Sequence, residues 1–449
     1  MDNLSLYIHI PFCVKKCNYC DFLSAPCDAK TRQLYVERLC EEIAQRADCF
    51  TNKQVDTIFF GGGTPSILSA NQMEKIMSVV RSKFHVAAEA EISIEVNPGT
   101  VDRKKLETYK KLGINRLSIG LQSADNDELK VLGRIHTWEE FIHTWELVRE
   151  IGYCNVNIDL MSALPGQTLE SYEETLKKVL ALKPEHISAY SLIIEEGTKF
   201  YEWFGNAEEE ESLVCEDAVD KSGKEEEKKS VCENSLSIRN RKLPDEITDR
   251  KMYEMTRDLL EEHGYYRYEI SNYALEGYEC KHNVGYWKRK EYLGLGLGAA
   301  SLISNVRSSN INDLSVYLEK GQETENKEQN EIVFKIEENG ESDKAVFDKR
   351  NTEVSKGIWD GKKWIEEQEE LSIKEQMEEF MFLGLRMMEG VSTTEFEKQF
   401  GKPLQEVYGK QISKLIKQGL LEFCEDTKRY VLTLQGIDVS NQVFVEFIE

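Results

Sequence analysis

The sequence predicts an α/β fold, in which helices cover a parallel β-sheet. Six short apolar, β-rich runs alternate with segments of helical period through the first half of the chain. Residues with unusual chemistry follow the carboxyl ends of these runs, where barrels and open α/β sheets place their binding sites. Six repeats fit an open, partial (β/α) barrel or a doubly wound sheet, and the residues at the strand ends favour the barrel.

Each strand is predicted from an apolar run and each helix from a longer periodic segment. The predicted strands are Leu4–Ile10, Val55–Phe60, Glu91–Val96, Asn115–Gly120, Asn155–Leu160 and His186–Leu192. The predicted helices between them are Thr31–Gln45, Asn71–Phe84, Asp102–Leu112, Trp138–Ile151 and Leu169–Leu182. A further helix, Asp249–His263, precedes a compact region rich in motifs.

The second half of the chain is expected to contain two charged interruptions and a small C-terminal domain. We expect residues 1–305 to form the core, with a charged insertion at about 205–245, and residues 306–370 to form a polar linker or insertion. For residues 371–449 the sequence predicts three helices, two short strands and a final helix. That order is the outline of a winged helix.

Composition limits the class of protein. The formal net charge of -24 argues against a broad affinity for nucleic acid or anionic membranes. No apolar run is long enough to span a bilayer and the start of the chain does not resemble a secretory signal, so we expect a cytoplasmic protein. Eleven cysteines in such a chain make a poor disulfide framework.

Three of these cysteines lie within eight residues, in Cys13-Val-Lys-Lys-Cys17-Asn-Tyr-Cys20. Three thiolates can ligate three irons of a 4Fe–4S cubane and leave the fourth iron open to an exogenous ligand. The amine and carboxylate of S-adenosylmethionine (SAM) could chelate that iron, and an electron from the cluster could then cleave the sulfonium bond to a 5′-deoxyadenosyl radical. A structural zinc site is the alternative, but zinc normally takes four protein ligands and no fourth Cys or His lies close by.

The glycine run Gly61–Gly63 lies between a predicted strand and a predicted helix. Glycines let the backbone approach a ligand closely, so this run could cradle the amino group of SAM. It is not a P-loop, because no Gly-Lys-Ser/Thr follows it. Glu95, at the end of the third strand, could accept a hydrogen bond from the same ammonium or from the ribose. A simple turn and a solvated carboxylate are the alternatives.

Taken together, the motifs resemble those of the radical SAM proteins related to oxygen-independent coproporphyrinogen III oxidase. The resemblance covers residues 4–200, resumes at about 245–305 and extends to the C-terminal domain. It implies a partial (β/α)6 radical SAM barrel with a C-terminal helical, winged-helix-like domain. The segments that carry it are Tyr7–Cys13, the cysteine spacing, Gly61–Pro65, Glu95–Pro98, Ile119–Ser123 and Asp159–Gly166.

This resemblance also implies roles for individual residues. Tyr7, Gly62 and Glu95 match positions that contact the cluster-bound SAM. Six more match the positions that hold a second SAM in the oxidases: Tyr19, Gly63, Thr64, Gln122, Arg134 and Asp159. If SAM is cleaved, an electron donor such as a flavodoxin or ferredoxin is implied as a partner.

Two features resemble the HemW-type haem chaperones of this family more than the oxidases. The oxidases carry a fourth cysteine two residues after the third, and Phe22 stands there in this chain. The segment Lys281–Trp287 resembles the His-Asn-x-x-Tyr-Trp haem-binding signature of the chaperones. His282 could supply an imidazole to haem iron, while Tyr286 and Trp287 could pack on a porphyrin face. The alternative is that His282 only hydrogen-bonds within a packed loop.

The sequence therefore predicts a haem chaperone that binds a 4Fe–4S cluster, SAM and haem and passes haem to an unidentified acceptor protein. One alternative is the oxidase, which removes carboxyl groups from coproporphyrinogen by radical chemistry; the missing cysteine counts against it. Another is a DNA-binding regulator built on the winged helix. Residues 371–449 contain nine Lys and Arg against thirteen Asp and Glu, whereas a DNA reader should be basic, so we expect no nucleic-acid partner.

Overall fold

The computed structural model describes residues 2–205, 238–320 and 363–448, and a twelve-stranded sheet forms the centre of this part of the chain. Six parallel strands make up the middle of the sheet and follow one another in chain order. They are β1 (Asp2–Ile10), β2 (Lys53–Gly62), β3 (His85–Val96), β4 (Arg116–Gln122), β5 (Val156–Ser162) and β6 (His186–Ser191). The six predicted strands are confirmed, although β3 begins at His85 rather than at Glu91.

Helices connect these strands and cover the sheet. Ser69, Thr137 and Thr168 cap three of them, each accepting a hydrogen bond from a backbone N–H three residues on. The five predicted helices are confirmed, and a sixth, α4, is too short to show a period in the sequence. The helices are α1 (Ala29–Ala47), α2 (Ala70–Lys83), α3 (Arg103–Lys111), α4 (Asn126–Val131), α5 (Trp138–Ile151) and α6 (Leu169–Leu182), with 3-10 turns at Asp48–Phe50 and Pro65–Ile67.

The sheet continues beyond both sides of the parallel set. The added strands are β7 (Tyr266–Glu269), β8 (Asn272–Ala274), β9 (Tyr292–Leu295), β10 (Ala300–Ile303), β11 (Val306–Asn310) and β12 (Ile365–Glu370). β9 runs parallel to β1, β8 runs antiparallel to β6, and β12 and β7 form the two edges. Within the described residues these edges do not pair, so the barrel is partial and open, as predicted. The associated helices are α7 (Lys199–Phe204), α8 (Glu246–Glu262), α9 (Lys281–Trp287) and α10 (Leu314–Glu319).

The structure differs from the predicted polar linker, 306–370, at both ends of that segment. β11 and α10 occupy its beginning and β12 its end, while residues 321–362 lie outside the described part of the chain. Five of the six residues of β12 are exposed, and charged side chains are common on edge strands because they prevent further pairing. In β12 the polar composition that suggested a linker is therefore that of a strand at the edge of the sheet. Of the predicted insertion at about 205–245, residues 206–237 also lie outside the described residues.

The C-terminal domain has the winged-helix outline that the sequence predicts, with a core of its own. Its small sheet has the order β13-β15-β14, and the predicted final helix is divided into two short ones. The elements are α11 (Ile373–Gly384), β13 (Val391–Ser392), α12 (Thr393–Phe400), α13 (Leu404–Lys417), β14 (Leu421–Cys424), β15 (Arg429–Leu432), α14 (Leu434–Asp438) and α15 (Ser440–Val445).

A buried ion pair joins this domain to the core. Glu379 on α11 accepts from Arg289, which follows α9, at 2.6 Å, and from Arg307 on β11 at 2.5 Å. The side chains of Arg289 and Glu379 are only 6% and 5% exposed. The C-terminal domain thus contacts the core at the end of α9. None of the helices in the described residues is both long and apolar enough to cross a membrane.

Candidate functional site

The thirteen residues that the sequence predicts for the site come together in one place. All of them line a cavity of about 490 Å³ at the carboxyl ends of the central strands, which we call the upper cavity. They are Tyr7, Cys13, Cys17, Tyr19, Cys20, Gly62, Gly63, Thr64, Glu95, Gln122, Arg134, Asp159 and His282. Residues more than 250 positions apart in the chain therefore face one space, although a shared cavity does not by itself fix the role of each.

Backbone hydrogen bonds hold the loop that carries the three cysteines. At its start, the Cys13 N–H donates to the carbonyl of Ala25 at 3.2 Å. In the middle, Asn18 donates from its backbone N–H to Leu132 and from its side-chain amide to Val131, both at 2.9 Å. The protein thus anchors this loop to the end of α4, and all three thiols are free and half-buried.

Two donors contact these thiols. The Thr64 hydroxyl donates to Cys13 Sγ at 3.4 Å, and the Arg134 guanidinium donates to Cys17 Sγ at 3.8 Å. Both contacts hold the sulfurs in place at the edge of the cavity. Burial raises the pKa of Cys20 to about 11, so iron must displace a proton when it binds this thiol.

The glycine run packs against the start of the cysteine loop. Gly62 has φ +107°, and a Cβ there would lie 2.4 Å from the His9 ring. A Cβ on Gly63 would lie 2.8 Å from the carbonyl oxygen of Phe12, and the Gly63 N–H donates to Ile10 at 2.9 Å. Only glycine fits at these two positions. The run therefore fixes the loop as well as lining the cavity.

Glu95 and Asp159 form an acidic pair on the cavity wall. Burial, together with the neighbouring Asp159, raises the pKa of Glu95 to about 8, and its Oε2 accepts from the Gly62 N–H at 3.1 Å. Burial also raises the pKa of Asp159, against hydrogen bonds from Asn157 and Ser118. Glu95 is therefore largely protonated at neutral pH, and a cationic ligand would favour its carboxylate.

The donors and acceptors of the upper cavity fit a cluster with an amino acid bound to it. Arg134 Nε and Arg116 Nε are buried donors without a partner among the described residues, and both side chains line the cavity. Unpaired donors of this kind suit a carboxylate, and Glu95 suits an ammonium. No three Cys, His, Asp or Glu side chains of the described chain converge as one metal ion would require; a cubane needs only one thiol on each of three irons.

His282 lies on α9 at the floor of the upper cavity and is 1% exposed. Its Nδ1 is hydrogen-bonded to the Thr57 hydroxyl at 2.8 Å and its Nε2 to the Tyr286 hydroxyl at 3.0 Å. Burial, followed by the Arg116 charge, lowers the pKa of His282 to about 3, so the imidazole is neutral. Both ring nitrogens are engaged, and one hydrogen bond would have to break before either could ligate iron.

The two aromatic residues of the same motif lie on different sides of α9. Tyr286 lines the upper cavity, whereas Trp287 does not. The Arg386 guanidinium lies 4.3 Å from the Trp287 ring centroid, and Trp287 packs in a small cluster with Met387. Successive residues on a helix point about 100° apart, which accounts for the different surroundings of these two side chains. Their packing on a porphyrin face stays a prediction.

Several polar residues of the cavity wall were not predicted from the sequence. Asn157 is the clearest: its side chain donates to Asp159 at 2.7 Å and is hydrogen-bonded to His186 at 2.6 Å. A period of two marks it, because Asn157, Asp159 and Met161 all line the cavity from β5. Other unpredicted polar residues of the wall include Arg116, Ser118 and Ser188.

Comparison with known proteins shows the family. Residues 7–179 match the radical SAM superfamily, and residues 371–439 match the HemN C-terminal domain. The protein named heme chaperone HemW of Lactococcus lactis is 33% identical over 99% of this chain and 97% of its own. HemW of Bacillus subtilis is 32% identical over 99% of both chains, and HemW of Escherichia coli is 31% identical over 94% of this chain and 93% of its own.

The chain belongs to the HemW family. The resemblance stated from the motifs is therefore confirmed. Among solved structures, the radical SAM enzyme coproporphyrinogen III oxidase (HemN) of Escherichia coli matches with a TM-score of 0.73. At 22% identity over 99% of this chain and 90% of that one, this match shows that this chain and HemN share a fold. Phe22 is 59% exposed and lines the upper cavity.

Proposed function

We propose that this HemW-family protein is a haem chaperone: it binds haem and passes it to an acceptor protein, and it holds a 4Fe–4S cluster and SAM in the upper cavity. The observation that carries the proposal is identity of 31–33% to proteins named heme chaperone HemW over almost the whole chain. That similarity covers both the barrel and the C-terminal domain. The function therefore rests on the complete architecture rather than on one motif.

In this proposal Cys13, Cys17 and Cys20 would hold the cluster, and SAM would be bound to it through its amine and carboxylate. A bound cluster would supply the electron for any cleavage of SAM. The protein's own residues position SAM. Glu95 accepts a hydrogen bond from the ammonium, and Tyr7 and Gly62 line the space around it. A second SAM would contact the remaining predicted residues: Tyr19, Gly63, Thr64, Gln122, Arg134 and Asp159.

In this proposal His282 supports haem binding indirectly, because it holds helix α9 in position. Thr57 and Tyr286 hold its two nitrogens, so it fixes the helix on the floor of the barrel. Direct ligation of the iron by His282 requires the Tyr286 hydroxyl to leave Nε2. The spectrum of bound haem in a His282→Ala variant distinguishes these two roles, because loss of an iron ligand changes the absorbance and loss of a helix anchor changes mainly the affinity.

Partners and compartment follow from the same proposal. If SAM is cleaved, an electron donor such as a flavodoxin or ferredoxin must approach the cysteine loop, where Lys15 and Lys16 are exposed. Two exposed cations would favour an acidic donor. The nine cysteines in the described residues are all free, which suits the reducing cytoplasm.

Oxidation of coproporphyrinogen is the second candidate, because HemN of Escherichia coli shares the fold over nearly the whole chain. Against it, Phe22 replaces the additional cysteine of the oxidases. The test is anaerobic reconstitution, followed by haem titration and a coproporphyrinogen assay with SAM and a reductant on one preparation. We expect about four irons per chain, haem binding and no turnover. Turnover, or failure to bind haem, would overturn the chaperone proposal.

A matched pair of variants tests the cluster in the same experiment. Cys17 lines the upper cavity, whereas Cys27 is also a half-buried thiol of the same region but does not line it. We expect Cys17→Ala to lose the cluster and Cys27→Ala to keep it, as judged by iron and sulfide content. A full cluster in Cys17→Ala would sink the assignment.

A further inference from the structure

A second cavity, of about 620 Å³, lies at the opposite end of the sheet. It is formed by the amino-terminal parts of β1, β2 and β3, by the outer side of α9, and by the C-terminal segment Met387–Glu389. We call it the lower cavity. It lies between the barrel and the C-terminal domain, and ligand sites are common at such interfaces.

Helix α9, which carries the haem-signature motif, separates the two cavities. His282 and Tyr286 line the upper cavity, whereas Lys281, Val284 and Lys288 line the lower one. Thr57, which is hydrogen-bonded to His282, also lines the lower cavity. The motif therefore borders both spaces, and the side of α9 away from His282 faces a cavity separate from the one proposed for the cluster and SAM.

The two cavities differ in the ligands already proposed for them. The upper cavity measures about 490 Å³ and, under the proposed function, must accommodate SAM beside the cluster. Pockets of roughly 300–1,000 Å³ each hold one ligand of drug or cofactor size. The lower cavity, at about 620 Å³, is large enough for a porphyrin alone.

The chemistry of the lower cavity matches a flat apolar ring with an iron and two carboxylates. Val284, Tyr268 and Met387 supply apolar surface, and the thioethers of Met387 and Met388 are of the type that ligates haem iron in cytochromes. Hydrogen bonds fix this segment, because the Met388 N–H donates to the carbonyl of Tyr268 at 3.0 Å. Met388 is half-buried and Met387 is buried, so Met388 is the methionine better placed to contact a ligand.

The lower cavity is less acidic than the rest of the chain, which favours a ligand that carries carboxylates. Four basic and four acidic side chains line it, a net of zero in a chain of net charge -24. Lys288 pairs with Glu389 at 2.7 Å, whereas Lys281 and Lys290 are exposed and form no ion pair within the described residues. These two ammonium groups are available for the carboxylates of a ligand.

We propose that the lower cavity is the haem site, with the Met388 thioether on the iron and with Lys281 and Lys290 on the two carboxylates. His282 then holds α9 in place between the cavities and does not ligate the iron. This inference rests on the proposed haem-chaperone function and adds the location of the haem to it.

The test compares variants of the reconstituted full-length protein by haem titration and by the spectrum of the bound haem. Lys281→Gln/Lys290→Gln removes the two proposed contacts, and Lys410→Gln/Lys417→Gln, on the distant helix α13, removes the same charge as a matched control. Met388→Leu removes the thioether and conserves volume. We expect the first variant to bind haem at least about tenfold more weakly, the control to bind like wild type, and Met388→Leu to change the spectrum. SAM affinity should stay unchanged in all three.

The outcomes separate this inference from the function on which it rests. Wild-type haem affinity in Lys281→Gln/Lys290→Gln, with an unaltered spectrum in Met388→Leu, would overturn the lower cavity as the haem site and leave the chaperone function standing. A loss of iron ligation in His282→Ala alone would place the haem in the upper cavity. Failure of the wild type itself to bind haem would overturn both proposals.

Discussion

At the scale of single residues, the acidic pair Glu95 and Asp159 shows how the barrel prepares its interior for a cation. Among the described residues neither carboxyl forms an ion pair, and burial raises the pKa of both, that of Glu95 to about 8. Between pH 4.5, the ordinary pKa of a glutamate, and pH 8, the folded protein without ligand keeps a proton on Glu95. The unfolded chain has already released that proton. The contribution of Glu95 to stability is therefore present at acidic pH and is lost as the pH rises through 8.

Binding of SAM should show the opposite trend if Glu95 accepts from its ammonium. The carboxylate must be ionised to do so, and ionising it below pH 8 costs up to about tenfold in affinity per pH unit. We expect the affinity of the cluster-loaded protein for SAM to rise from pH 6 to pH 8. Equilibrium binding at fixed ionic strength measures this trend.

The neutral variant Glu95→Gln is the control for that experiment, since it keeps an acceptor for the Gly62 N–H. The amine of SAM also titrates, so the informative quantity is the difference between the slopes of the two proteins. We expect a flatter slope in Glu95→Gln. Identical slopes would show that Glu95 does not change its protonation when SAM binds.

At the scale of elements, the six parallel strands could be predicted because both of their faces are covered. Such strands are continuous apolar runs, and the residues that end them carry the site. The strands added at the sheet margins are short and polar, and β12 in particular has the composition of a linker. Their position depends on pairing with distant strands, which a local pattern does not contain.

The part of the candidate site that lies at the ends of the parallel strands could also be predicted from the sequence. Residues at strand ends must converge in a parallel sheet, so the cysteines, Glu95 and Asp159 could be grouped from the sequence. What could not be predicted was the direction in which α9 presents its motif. His282 faces the barrel and Trp287 faces the C-terminal domain because Glu91 and Glu379, both remote in sequence, fix the ends of that helix.

Glu91 is the cap that the α9 sequence itself lacks. Cys280, at the N-cap position, makes no side-chain hydrogen bond to the helix, whereas Glu91 on β3 accepts from the N–H groups of Lys281 and His282, both at 3.1 Å. Glu91→Ala would leave these two donors unpaired, at a cost of about 1–3 kcal/mol for each one that stays buried. We expect a lower urea midpoint with an unchanged m-value.

Glu89 provides the comparison for this prediction, because it lies two residues away on the same strand and is exposed. Glu89→Ala should change the free energy of unfolding by no more than about 0.5 kcal/mol. Equal losses in the two variants would mean that removal of charge from β3, rather than the cap, is responsible.

At the scale of the whole molecule, the C-terminal domain closes the lower end of the barrel, and ion pairs of different burial cross the interface between them. Glu379 contacts Arg289 and Arg307, and Lys288–Glu389 is a second, exposed contact across the same interface. Loss of one partner from a buried ion pair costs about 3–5 kcal/mol, whereas an exposed pair contributes about 0–1 kcal/mol. The two pairs should therefore differ sharply in their effect on domain docking.

We expect Glu379→Gln to uncouple the C-terminal domain and Glu389→Gln to leave it in place. All six tryptophans precede residue 371, so tryptophan fluorescence reports on the core, while far-ultraviolet circular dichroism reports on both domains. In urea, Glu379→Gln should unfold at lower concentration, and the two signals should no longer coincide, because the C-terminal domain then unfolds separately from the barrel. Coincident transitions in Glu379→Gln, at the midpoint of Glu389→Gln, would show that apolar contacts rather than Glu379 hold the domains together.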